Sequence, residues 1–146
     1  MKLYTIGFTQ KTAQQFFELL RDNGVQRVVD IRISPQGQLA GFAKQDDLPY
    51  FLDKLAKHCQ YLYLPLLAPT KEMMHTYREG GNWTRYAARF EALMDQRNIP
   101  AALDRSLFES AASCLLCSEP TADQCHRRLV AERLAKHWRH VDIVHL

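Results

Sequence analysis

The sequence reads Cys114-Leu115-Leu116-Cys117-Ser118-Glu119 and, after a short polar loop, Cys125-His126-Arg127-Arg128. The apolar run that ends at Cys117 is typical of a buried strand, and a helical pattern begins near Cys125. The polar groups of both segments are therefore expected at the carboxyl end of a strand, where open α/β sheets bind their ligands. This one stretch indicates both the fold class and the place of the functional site.

The rest of the chain alternates strand and helix patterns in the same way. A capping box formed by Thr12 and Gln15 predicts the start of the first helix, and Gly24 predicts its end. We predict strands over residues 3–6, 25–32, 61–65, 112–117 and 141–146. Further helices are expected over about 46–58, 70–79, 83–98, 101–110 and 124–137. Such alternation implies a mostly parallel sheet with right-handed crossovers, so we expect a three-layer α/β/α sandwich of about five strands.

Length and composition favour one domain over residues 1–146. A chain of 146 residues buries roughly 68–70% of its unfolded surface, and 47% hydrophobic with 24% charged residues is ordinary for a globular protein. The chain lacks an apolar run of about 18 residues and a signal-peptide pattern, so we expect no membrane span and a cytoplasmic location with reduced cysteines. A net charge of +3 permits an anionic ligand but falls short of a dedicated DNA-binding domain.

Five motifs, in order along nearly the whole chain, resemble the domain of unknown function 488 family. They are Thr5-Ile6-Gly7, residues 28–32 with Pro35, residues 61–65, residues 115–119 and Cys125-His126-Arg127. The resemblance implies an α/β fold with a cleft to which no general reaction is assigned. It favours Arg127 over Arg128 as the arginine that faces the cleft. Family members often carry a glycine-rich turn after the third strand, where this chain has residues 66–70, Leu-Leu-Ala-Pro-Thr.

The cysteines raise the question of a metal. Cys114, Cys117, Cys125 and His126 are the ligand types of a structural zinc site. However, Cys114 and Cys117 are three residues apart on a strand, so their side chains point to opposite faces. We therefore predict no structural zinc and no cofactor, and we expect Cys114, like Cys59, to pack in the core as a buried free thiol.

Cys125 and Cys117 flank the loop and are the candidates for chemistry. A thiol near the first turn of a helix lies at the positive end of the helix dipole, and the neighbouring arginines also favour a thiolate. Cys125 is accordingly predicted to act as a nucleophile or a metal ligand. The alternative is that Cys125 packs the helix start while Glu119 pairs with an arginine. His126 is predicted as an acid, base or ligand, with helix capping as the alternative.

A second polar group ends the second strand. Asp30 and Arg32 are two residues apart and share one face, so they project toward Glu119 and Cys125 if their strand neighbours the fourth. The alternative is a salt bridge that fixes the following loop. Gln36 in that loop and Tyr77 in the middle region belong to a set of interleaved polar, aromatic and basic residues. Such a set can contact a nucleotide or line a small-molecule pocket, or it can be core aromatics with solvated neighbours.

Two classes of function fit these residues. The first is an enzyme acting on an anionic or nucleotide-like substrate, because carboxylates, thiols and an imidazole converge at one strand end. Its predicted catalytic residues are Asp30, Glu119, Cys125 and His126, and its predicted substrate-binding residues are Arg32, Gln36, Tyr77, Cys117 and Arg127. The alternative is a binding module for nucleic-acid ends, modified nucleotides or a protein partner. In either case we predict that Asp30, Arg32, Glu119, Cys125, His126 and Arg127 line one concavity.

Overall fold

A five-stranded parallel sheet forms the centre of the molecule. The computed structural model describes the backbone of residues 1–146 and every side chain but that of Gln38. The strands are β1 (Lys2–Gly7), β2 (Arg27–Asp30), β3 (Gln60–Tyr63), β4 (Ser113–Cys117) and β5 (Asp142–His145). They lie in the order β3-β2-β4-β1-β5, and all four pairings are parallel. Since β2 adjoins β4, the two polar strand ends identified in the sequence are neighbours.

Helices alternate with these strands, which confirms the predicted α/β class. They are α1 (Ala13–Asp22), α2 (Leu48–Leu55), α3 (Lys71–Arg78), α4 (Trp83–Gln96), α5 (Ser106–Glu109) and α6 (His126–His137). The predicted helix over 101–110 was too long. The helix begins only at Ser106, just after a local turn in which the carboxylate of Asp104 accepts hydrogen bonds from the backbone N–H and the hydroxyl of Ser106. Short 3₁₀ turns occupy Gln38–Ala43 and Pro65–Leu67.

The start of α1 confirms the predicted capping box. The hydroxyl of Thr12 accepts a hydrogen bond from the backbone N–H of Gln15 at 3.1 Å, and the backbone N–H of Thr12 donates to the Gln15 side chain at 2.9 Å. Gly24 follows the helix with φ of +69°, a conformation that favours glycine. The capping box and the glycine therefore determine the two ends of this helix through local interactions.

Two hydrophobic cores pack against the two faces of the sheet. One core joins Cys114 and Leu116 to Phe16 of α1 and Leu52 of α2. The other joins Leu115 to residues of α4 and α6, including Phe90, Met94 and Leu134. Alternate residues of β4 therefore serve opposite cores, as strand geometry requires. None of the helices in the described part of the chain is long and apolar enough to cross a bilayer.

A close backbone approach brings the loop after β4 over the end of β1. Gly7 pairs with Cys117 in the strand register, and a Cβ atom placed on Gly7 would lie 1.6 Å from the backbone oxygen of Glu119. The hydroxyl of Thr9 also donates to the backbone oxygen of Ser118 at 2.6 Å. Glycine at position 7 is thus required for this path of the loop, which carries the end of β4 toward α6.

Candidate active site

A cavity of about 190 Å³ opens at the carboxyl ends of β2 and β4. Its wall combines the segments after these strands with α3, α4 and the start of α6. The lining residues are Arg32, Ile33, Ser34, Pro69, Met74, Tyr77, Arg78, Tyr86, Cys117, Ser118, Glu119, Gln124, Cys125 and His126. The cavity therefore lies where the sequence placed the site, and it combines an apolar and aromatic side with a polar one.

Arg32 is held in this wall by a buried carboxylate. Asp30 accepts hydrogen bonds from Nε of Arg32 at 2.8 Å, from Nη2 at 2.7 Å and from its backbone N–H at 3.1 Å. Nη2 also donates to the backbone oxygen of Ala43 at 2.7 Å, and the hydroxyl of Tyr61 donates to Asp30 at 2.6 Å. Four donors thus surround the Asp30 carboxylate, which orients the guanidinium as a rigid unit.

One nitrogen of Arg32 is left without a partner. Nη1 is buried and makes no hydrogen bond to the described residues, while the residue as a whole is only 4% exposed. The guanidinium carbon also lies 5.3 Å from the ring centre of Phe8. An unsatisfied buried donor is costly, and this nitrogen belongs to a residue that lines the cavity.

Cys117, Cys125 and His126 form a buried cluster on the polar side of the cavity. Their sulfur and nitrogen ligand atoms all lie within 4.8 Å of one another, and Sγ of Cys117 is 3.4 Å from Nδ1 of His126. Nε2 of His126 is 2.9 Å from the backbone oxygen of Ile31. Because a carbonyl oxygen only accepts hydrogen bonds, Nε2 carries the proton, and Nδ1 faces the sulfur of Cys117.

The two thiols of the cluster differ in acidity. The neighbouring Cys125 thiol lowers the pKa of Cys117 below its ordinary value against the opposing effect of burial, with help from the backbone N–H groups of Ser118 and Glu119 and the charge of Arg127. The pKa of Cys125 is raised by its interaction with Cys117 and by burial. The sequence placed thiolate character at Cys125, but these directions favour Cys117, chiefly because the Cys125 thiol lies beside it.

Arg127 is not among the residues that line the cavity, although the family resemblance favoured it as the arginine that faces the cleft. It is fully buried, and its guanidinium donates from Nη1 to the backbone oxygen of Glu119 at 2.6 Å and from Nε to the hydroxyl of Thr5 at 3.3 Å. Arg128 is half-buried, with its guanidinium carbon 5.9 Å from the ring centre of Trp83. Arg127 therefore supports the loop from behind and contributes charge at a distance.

The remaining predicted residues divide between the cavity and its surroundings. Glu119 and Tyr77 line the cavity; the Glu119 side chain is exposed, and the hydroxyl of Tyr77 donates to Gln124 at 3.1 Å. Asp30 lies behind Arg32, and Gln36 is exposed in the loop after β2, outside the wall formed by the described residues. The predicted single concavity thus holds for Arg32, Glu119, Cys125 and His126, but not for Asp30 and Arg127.

Several site residues were missed by the sequence reasoning. Tyr61, on β3, bonds the Asp30 carboxylate, and Met74 forms part of the cavity wall. Only the strand order, which places β3 beside β2, could have indicated Tyr61, and no local pattern encodes that order.

Comparison with known protein families gives one match that covers most of the chain. The model of the family described as domain of unknown function DUF488 matches residues 12–134. This range is most of the chain, and the chain belongs to that family. No curated protein and no solved structure shows a significant match to this chain.

Proposed function

We propose that the protein is an enzyme that acts on a small anionic or nucleotide-like substrate in this cavity. Arg32 holds the negative charge, and the cluster of Cys117, Cys125 and His126 carries the reaction. The observation that supports this most strongly is the unpartnered Nη1 of Arg32. A guanidinium fixed by a carboxylate, with one edge left for an acceptor, is the arrangement that recognises anions such as phosphates and carboxylates.

Chemistry, rather than anion binding alone, is supported by the neighbouring thiols. Anion recognition needs no cysteine, whereas a thiolate can attack a substrate or hold a metal. Sγ of Cys117 lies 3.4 Å from Nδ1 of His126, which is near enough for the imidazole to accept a proton from the thiol during a reaction. This arrangement supports Cys117 as the reacting sulfur on the same cavity wall as Arg32.

The shape of the cavity supports a small substrate or one end of a larger one. Its volume of about 190 Å³ is below the range of roughly 300–1,000 Å³ found for drug-sized ligands. Met74, Tyr77 and Tyr86 form an apolar and aromatic side, which can pack against a flat ring. Arg78, exposed at the same wall, adds a second positive charge for a charged group that extends outward.

Anion binding can be tested with inorganic phosphate and adenosine monophosphate as probes. Dissociation constants are measured by NMR titration of the natural chain, the Arg32→Lys variant and the control Arg85→Lys. Lysine keeps a positive charge beside Asp30 but removes the second edge of the fork, so we expect at least about fivefold weaker binding. Arg85 is exposed on α4 and outside the cavity wall, so its variant should bind as the natural chain does.

Two results would contradict the proposal. If neither probe binds in the millimolar range, or if Arg32→Lys and Arg85→Lys behave alike, the assignment of Arg32 is wrong. If anions bind at Arg32 but Cys117 reacts no faster than a core cysteine, the binding-module class takes precedence. A short single-stranded oligonucleotide with a terminal phosphate, titrated in parallel, then tests recognition of nucleic-acid ends.

A further inference from the structure

We infer that Cys117, Cys125 and His126 form a three-ligand site for a soft divalent metal ion, with zinc as the best fit, and that the fourth coordination position opens into the cavity. This inference rests on the proposed function, because the metal would bind to the same three residues to which the reaction is assigned. It goes further by choosing the ligand role for the cysteines over the nucleophile role.

The positions of the ligand atoms carry the first part of the argument. Zinc binds cysteine sulfur at about 2.3 Å and histidine nitrogen at about 2.1 Å, which places neighbouring ligand atoms about 3.5 Å apart in a tetrahedron. Sγ of Cys117 and Nδ1 of His126 are already 3.4 Å apart, and all three ligand atoms lie within 4.8 Å of one another. Small side-chain rotations therefore suffice to surround an ion.

The orientation of His126 is an independent second observation. A metal-binding histidine nearly always donates its other ring N–H to a carbonyl or carboxylate, which fixes the ring and its tautomer. Nε2 of His126 donates to the backbone oxygen of Ile31 at 2.9 Å, and the ring packs 5.6 Å from that of Phe90. The lone pair of Nδ1 is thereby held toward the sulfur of Cys117, as ligation requires.

The number of ligands indicates the type of site. Cys114 belongs to the core on the opposite face of the sheet, so it does not complete a four-ligand structural site. Three protein ligands with an open position are typical of catalytic zinc, including sites with two cysteines and one histidine. All three ligands and Arg32 line one cavity, so a substrate atom or water in the open position would lie on the same wall as the anion-binding group.

Charge and proton balance are consistent with this site. Two thiolates and a neutral imidazole neutralise a divalent ion, so no net charge is added to the buried cluster. Each cysteine gives up one proton to solvent when the metal binds, which makes the affinity fall at low pH. With the ion in place, Cys117 is a metal ligand. The substrate would then react at the open coordination position of the metal rather than at the sulfur.

Cobalt(II) provides a direct test, because thiolate-to-cobalt charge transfer gives an absorption band that reports sulfur ligands. The full chain is stripped with chelator, titrated with Co²⁺, and then competed with Zn²⁺. We expect one equivalent of cobalt, a charge-transfer band and tetrahedral visible bands, all displaced by zinc. Cys117→Ser, Cys125→Ser and His126→Gln should each lose at least about 90% of the charge-transfer signal or shift it markedly. Cys59→Ser and Cys114→Ala are matched controls and should keep the signal.

The outcomes separate this inference from the proposed function. If Co²⁺ gives no charge-transfer band in the folded natural chain, or if the band survives in Cys117→Ser and Cys125→Ser, the metal site is overturned. The natural chain alone decides the first point, so a variant that fails to fold does not obscure the result. Phosphate binding is measured on the same metal-free sample. Phosphate binding without cobalt binding overturns only the metal site. Cobalt binding without phosphate binding overturns only the proposed role of Arg32.

Discussion

Cys114 and Cys117 stand three residues apart on β4 and have opposite surroundings. Cys114 is fully buried among the side chains beneath α1 and α2, and burial raises its pKa well above the ordinary value. Cys117 ends the strand on the other face, beside His126 and Cys125, and its pKa is lowered. The same residue type is inert packing on one face and a candidate reacting group on the other.

The difference between the two cysteines comes from the end of the strand. Cys114 lies within β4 among core side chains, whereas Cys117 lies beside the Cys125 thiol. That thiol lowers the pKa of Cys117 most, with smaller contributions from the backbone N–H groups of Ser118 and Glu119. Arg127 adds a buried positive charge, and it is anchored to the backbone oxygen of Glu119. The loop after β4, rather than the residue type, therefore determines where the chemistry lies.

The largest effect is expected from Gly7→Ala, which removes the close approach that shapes this loop. The new methyl group would lie 1.6 Å from the backbone oxygen of Glu119, so the loop must move away. Overpacking of this kind costs about 3 kcal/mol. Gly37→Ala is the control, since its methyl group meets the nearest atom at 3.7 Å. Urea denaturation measures both, and equal stabilities would show that the loop does not need glycine at position 7.

Serine substitution tests the two faces of β4 directly. Cys114→Ser places a hydroxyl among apolar side chains, which costs about 2 kcal/mol when no good partner is available. Cys117→Ser should cost under about 1 kcal/mol, because the hydroxyl can bond Nδ1 of His126. Comparing the free energies of unfolding of the two variants checks this order. A larger loss for Cys117→Ser would mean that this sulfur is structural.

A smaller effect is expected from Tyr61→Phe, which removes one donor from the Asp30 carboxylate. The hydrogen bond of 2.6 Å goes to a charged group, so the loss should be about 1 kcal/mol, with somewhat weaker phosphate binding at Arg32. Tyr63→Phe, on the same strand, is the control and should change neither quantity. If the two variants bind phosphate equally well, the orientation of Arg32 does not depend on Tyr61.

Much of the fold could be predicted from local sequence patterns. The capping residues of α1, the apolar run of β4 and the alternation of its side chains are encoded within a few residues. Alternation also separated Cys114 from Cys117. The helix over 101–110 was placed too early because the bonds from Ser106 to the Asp104 carboxylate form a local turn before α5, which the helical pattern does not indicate.

The details of the site depend on contacts between distant segments. The strand order brings Tyr61 to Asp30 and β2 to β4, and nothing in the sequence of a strand names its neighbour. Arg127 and Arg128 differ in direction by about 100° on a helix, so one of them must turn inward. The sequence could not show that the inward direction leads to Thr5 and the loop rather than to the cavity.

Mapped alkylation tests the central claim most directly, namely that Cys117 is the most reactive thiol of the metal-free protein and lies beside an anion site. Metal-free protein is treated with iodoacetamide at pH 7, with and without phosphate, and labelled sites are identified by mass spectrometry. With its pKa raised to about 11 by burial, Cys59 is a thiolate in only about one molecule in ten thousand at this pH. We predict that Cys117 is labelled first and that phosphate slows its labelling. Labelling of Cys59 or Cys114 before Cys117, or no effect of phosphate, would contradict the account.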